Sequence, residues 1–127
     1  YFYSEEFGLA RAKIIKDKLV ENGRTFFSIF IETNNGIQMF LSEGEDRLGT
    51  LAVAMPQKNS LLGPPLSSIL LGDRNMMLSR LFAENLAKKM NRISLVSVFS
   101  ESFNEIELGP ILRKLMENTL EKKNKKN

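Results

Sequence analysis

The clearest alternation in the chain runs from Thr25 to Glu32, where Phe26 and Phe30 fall on one side of an extended strand and Phe27, Ile29 and Ile31 on the other. The residues before it, 9–20, admit two readings. As a helix they place Phe7, Ala10, Ile14 and Lys18 on one side, a poor apolar stripe. As a strand they end at Glu21-Asn22-Gly23-Arg24, and Asn-Gly suits a two-residue hairpin because both positions accept positive φ. A strand over about Lys13 to Glu21 is the better match to the hairpin. Asn34-Asn35-Gly36 is a second tight turn and returns the chain as a third strand, Ile37 to Ser42. The start of the chain thus predicts a meander of antiparallel strands.

The middle follows a different pattern. Leu48 to Met55 and Leu66 to Leu71 are short apolar runs bounded by Pro, Gly and Asn, which favours buried strands. Gly63-Pro64-Pro65 between them suits neither helix nor ladder, since proline lacks an N–H and restricts the residue before it. Past Gly72, Asp73 or Asn75 can cap a helix over about 75–90 with Met77, Leu78, Leu81, Phe82, Leu86 and Met90 on one side. Asn91-Arg92 closes that helix, and Ile93 to Ser100 is a sixth strand. The last element has two competing starts: a Ser102/Glu105 capping box, and Pro110 as a first helical residue. Proline inside a helix costs about 3 kcal/mol. The expectation is one turn, a kink, and then a main helix, 103–121 in all, with Ile111, Leu112, Leu115, Met116 and Leu120 inward. The predicted fold is α+β: about six strands in an antiparallel, curled sheet, with two main helices.

At 127 residues, 43% hydrophobic and 26% charged, the chain has the composition of one soluble globular domain. Residues 1–121 are expected to form it, and 122–127 a basic, disordered tail. The net charge of +3 depends on that tail: without Lys122, Lys123, Lys125 and Lys126, 14 basic residues face 15 acidic ones. A nucleic-acid footprint across one face is therefore not expected. No apolar run is long enough to span a bilayer, so no membrane partner is expected either. The chain opens on Tyr1, which suggests a trimmed start.

Histidine and cysteine are both absent. The commonest general base, the usual zinc ligand and every thiolate reaction go with them. Glu43, Glu45 and Asp46 cluster in a turn without calcium-loop spacing. Gly44 to Thr50 has the outline of a phosphate loop, but lacks its lysine and precedes a strand rather than a helix. Ser67 and Ser68 have no base beside them in sequence, and a Ser–Lys hydrolase is a distant possibility. No catalytic residue, cofactor or metal site is expected. What stands out is a sheet apolar on both faces, on the Thr25 strand and again on the Ile93 strand, where Ile93, Leu95 and Phe99 oppose Val96 and Val98. Two helices cover one face; the other needs either a sheet folded over itself or a second subunit.

Leu51-Ala52-Val53-Ala54-Met55, then Leu70-Leu71-Gly72-Asp73, then Leu86-Ala87-Lys88-Lys89 before Ile93-Ser94-Leu95-Val96, resembles the proteasome assembly chaperone 4 family. The resemblance runs from about Arg47 to about Leu120, and more loosely back to about Lys13. It implies a non-catalytic cytoplasmic chaperone, with the nucleus as a second location. Such a protein forms a heterodimer with a related small subunit, chaperone 3, or self-associates when alone. The pair binds an α-subunit (the fifth) of the proteasome core particle and assists α-ring assembly. The loop Pro56 to Pro65, Gly109-Pro110 and the first dozen residues depart from the family pattern, so no contact residue carries over individually. Exposure arguments alone place a partner interface at Gln57, Lys58 and Asn59, with Phe27, Ile29 and Met39 for dimerisation. The rival from another class is a dimeric adaptor of the roadblock or longin type.

Overall fold

The structure is a computed structural model and describes residues 11–57 and 66–126. The meander is present: β1 (Lys13–Glu21), β2 (Arg24–Glu32) and β3 (Gly36–Glu43) pair in sequence as antiparallel neighbours. Asn22 and Gly23 both have positive φ, 51° and 74°, as the tight hairpin requires. β4 (Thr50–Met55) and β5 (Leu66–Leu71) form a second antiparallel pair. Then come α1 (Met76–Met90), β6 (Ile93–Phe99) and α2 (Glu105–Lys126).

The strand order is β1-β2-β3-β6-β4-β5, so the last strand to be made lies between β3 and β4. β6 is antiparallel to β4 and parallel to β3. The sheet is therefore mixed, not purely antiparallel as expected. α1 is the reason: a helical crossover returns the chain to the same end of the sheet, which a hairpin cannot do. The sheet is open, with β1 and β5 as its two edges.

Both helices lie on one face. Phe26, Phe30, Leu41, Val96 and Val98 from the sheet are buried with Phe82, Leu86, Leu112 and Leu115 from the helices. Ala52 and Ala54 on β4 and Ala83 and Ala87 on α1 are buried as well, and their small size lets α1 lie directly on β4. The two helices are joined at their starts. Asn75 precedes α1 in the left-handed conformation and makes no side-chain cap, so neither sequence candidate caps this helix. Glu105 does so instead, accepting the Leu78 N–H at 2.7 Å from the first turn of α2.

α2 runs unbroken through Pro110, one residue beyond its first turn and a half, rather than as a turn followed by a separate helix. Only one ladder bond is forfeited there, and Leu108, Ile111 and Leu112 on either side are buried. Its capping box is Asn104/Glu107, not Ser102/Glu105: Glu107 N–H donates to Asn104 Oδ1 at 2.9 Å, and Asn104 N–H to Glu107 Oε1 at 3.3 Å. The helix also takes in most of the expected tail. Lys122 Nζ donates to the Lys16 carbonyl at 2.8 Å, and Lys123 Nζ lies 3.4 Å from Glu32 Oε1.

Candidate functional site

Side chains that point away from the helices form an uncovered sheet face. The strand register aligns them in rows across it. Ile31 lies beside Gln38, Gln38 beside Leu95, and Leu95 beside Val53. The next row is Ile29, Phe40, Ser97 and Leu51, and the third is Phe27, Ser42 and Phe99. The apolar members are half-buried by one another, while the two serines are fully buried between them. No described element lies over these rows. On the β1 flank Lys16 and Lys18 sit opposite Ile29 and Phe27.

One margin of the face is shaped by the β3–β4 connection, which must cross the end of β6. Gly49 makes the crossing possible: a Cβ there would lie 2.1 Å from the Val98 carbonyl oxygen. Its N–H donates to Ser97 Oγ at 2.8 Å, satisfying a buried hydroxyl. Arg47 from the same connection stacks over the Phe99 ring, 5.1 Å from its centroid, and is bound by Glu45 at 2.6 Å. The Gly44 to Thr50 segment is thus a crossover clamp, with the backbone role its glycines allow.

Ionisable groups gather at two places: Arg24, Glu43, Glu45, Arg47 and Glu101 line a cavity of about 280 Å³, and Arg11, Lys13, Glu32 and Arg92 line another of about 270 Å³. Glu32 and Glu43 sit at opposite ends of the sheet, both on the helix side. Burial would raise the Glu32 pKa, but the Arg92 hydrogen bond at 2.6 Å and the charges of Lys123 and Arg92 outweigh it and hold the carboxyl below its ordinary value. Burial likewise opposes ionisation of Glu43. Hydrogen bonds from the Ser102 side chain, Ser100 Oγ–H and the Ser102 and Glu101 N–H groups overcome it and lower its pKa. These carboxylates bind their own chain together. Among the described residues no group of His, Cys, Asp and Glu could hold a metal ion. Ser67 donates to Glu84 and accepts from Arg80 Nε at 3.1 Å, so its neighbours are not those of a Ser–Lys nucleophile.

Of the residues expected at a partner interface, Phe27 and Ile29 lie together on the uncovered face and are half-buried. Met39 does not belong with them: it points to the helix side and is 1% exposed, because the β2–β3 pairing gives that face to Ile37, Met39 and Leu41. Phe40 takes its place. Both alternating sets of that strand contain apolar residues, so side-chain pattern alone could not choose between them. Gln57 is half-buried just past β4, while Lys58 and Asn59 lie outside the described residues. Leu51, Val53 and Leu95 complete the face, and only strand order brings them beside Phe40.

Comparison with known proteins identifies the same architecture. A search of curated protein sequences gives no match. Among solved structures, the chain is similar to one from "Crystal Structure of a Novel Chaperone Complex for Yeast 20S Proteasome Assembly", with 16% identity and a TM-score of 0.61. The match covers 86% of this chain and 98% of that one, a likeness of fold. The model of the family described as proteasome assembly chaperone 4 matches residues 24–98. That span holds β2 to β6 and α1, more than half of the sequence, and so this chain belongs to the proteasome assembly chaperone 4 family.

Proposed function

We propose that the chain is a non-catalytic assembly chaperone that pairs through its uncovered sheet face with a related small subunit of the chaperone 3 type. The pair holds an α-subunit of the proteasome core particle while the α-ring assembles. The observation that carries this reading is the sheet itself: apolar on both faces, with helices over only one. Burying the rows of Phe27, Ile29, Phe40 and Leu95 against a matching sheet gives association its driving force. The half-buried Gln57 and the charged Lys16 and Lys18 lie at the margin, where a polar rim permits later release.

Co-expression with a chaperone 3-type subunit and a core α-subunit tests it by native mass spectrometry. A one-to-one heterodimer that captures the α-subunit is the expected result. Phe40→Glu places a charge in the centre of the face and should weaken pairing by about 30-fold or more, with the helix-side core intact. Unchanged pairing by Phe40→Glu, or a heterodimer that ignores the α-subunit, would overturn the reading.

A further inference from the structure

The uncovered face changes character from one flank to the other. At the β5 flank Leu66 and Leu71 continue the rows of Met55 and Leu51, and both are exposed. At the β1 flank Lys16 and Lys18 stand beside Ile29 and Phe27, exposed as well. Among the described residues they are the only charges that the strands place on this face. The acids of β1, Asp17 and Glu21, alternate to the helix side with Ser28. Neither lysine has a carboxylate partner among the described residues, whereas Arg24, Arg47, Arg92, Lys123 and Lys125 each have one. Glu45, at the Phe99 margin, is already bound by Arg47.

We infer that Lys16 and Lys18 choose the partner on this face: they accept a sheet that carries carboxylates opposite β1, and they exclude a second copy of this chain. The inference rests on the pairing proposed above. Exclusion of a second copy does not depend on how two copies are turned. No described strand places an Asp or Glu on the face, so in any face-to-face arrangement of two copies these lysines meet lysine or uncharged side chains. Like charges in contact, or an ammonium group buried against leucine, then oppose association. A sheet with acids at that flank removes the penalty and adds two ion pairs. Stacked sheets lie about 10 Å apart, a gap that a lysine and a facing carboxylate side chain bridge together. Lys16 and Lys18 are alternate residues of one strand, about 7 Å apart, so the matching acids belong on alternate residues of an extended strand. At the flank the pairs stay beside solvent, where each contributes little to affinity. Discrimination comes mainly from what the wrong partner suffers.

The test uses the full chain, alone and with a chaperone 3-type subunit. Alone, the unaltered chain should sediment as a monomer at concentrations where the heterodimer forms. Lys16→Leu with Lys18→Leu should lower the concentration needed for self-association by about tenfold or more, and adding Phe40→Glu should reverse this. In the heterodimer, Lys16→Glu with Lys18→Glu should weaken pairing by about tenfold or more, and the unaltered pair should weaken as salt is raised. A carbodiimide, which joins a contacting amine and carboxylate as an amide, should link Lys16 or Lys18 to an Asp or Glu of the subunit, as read by mass spectrometry. Amides at neither lysine, or pairing indifferent to the charge reversals, would leave the two lysines as guards of the β1 edge and overturn the inference. So would an unaltered chain that dimerises as readily as the leucine variant. Pairing that Phe40→Glu abolishes and the lysine reversals leave untouched sinks this inference alone. Pairing that Phe40→Glu leaves untouched sinks the proposed use of the face, and this inference with it.

Discussion

The two faces of the sheet share their residue types but not their polar chemistry. On the helix side several buried polar groups reach across to another segment: Ser28 to Thr119 at 2.7 Å, Glu32 to Arg92, Glu43 to Ser100. Such bonds fix one arrangement of helix on sheet, since a stranded buried group is costly. On the other side, aromatic and aliphatic rows are interrupted only by Gln38, Ser42 and Ser97, and nothing described spans them. One face specifies the fold of this chain; the other is the face through which the proposed pairing would occur.

The largest contrast should appear on truncating neighbours in one strand. Phe30→Ala removes a fully buried ring and should cost about 3–5 kcal/mol in urea unfolding. Phe27→Ala, one face over, should cost far less in the isolated chain and act mainly on the complex. Equal losses would erase the distinction between the faces. Next in size, Glu43→Ala leaves the Ser100 hydroxyl and the Glu101 and Ser102 N–H groups without their acceptor, at about 1–3 kcal/mol.

Acid should act on the same face. Glu32 and Glu43 have folded pKa values below those of the unfolded chain, so the unfolded state takes up protons first as pH falls. Their contribution is complete at neutral pH and declines as pH drops below about 4.5 and through the lowered folded values. Urea midpoints measured from neutral to acid pH should fall accordingly, and less steeply in Glu43→Gln. The smallest effects concern helix starts. Asn104→Ala should cost about 1 kcal/mol in thermal unfolding, whereas Asp73→Ala, which removes no cap, should stay within about 0.5 kcal/mol.

Local rules explain which parts were legible in the sequence. Asn22-Gly23 and the alternation of Phe26 to Ile31 determine a hairpin within a few residues of themselves, and both appear as read. The α1 boundary and the strand character of β4 and β5 are equally local, but the burial expected of β5 is not found: Leu66, Leu70 and Leu71 are exposed. What sequence could not supply was anything decided by a distant neighbour. The parallel β3–β6 pair depends on where the crossover deposits the chain. The choice between Met39 and Phe40 depends on a pairing register that either apolar set would support. Lys122 and Lys123 belong to a charge run that reads as solvated, until the carbonyl of Lys16 and the carboxylate of Glu32 are placed within reach.

The position of β6 has a consequence for the order in which the molecule can come together. While residues 93–99 have yet to emerge from the ribosome, β1 to β3 and the β4–β5 pair are two separate ribbons with no strand pairing between them. Residues 93–99 zip them into one, and Glu105 then completes the first turn of a helix synthesised well before it. Until residues 93–99 are in place there is therefore no continuous apolar platform, and the face on which the proposed pairing rests is completed by β6.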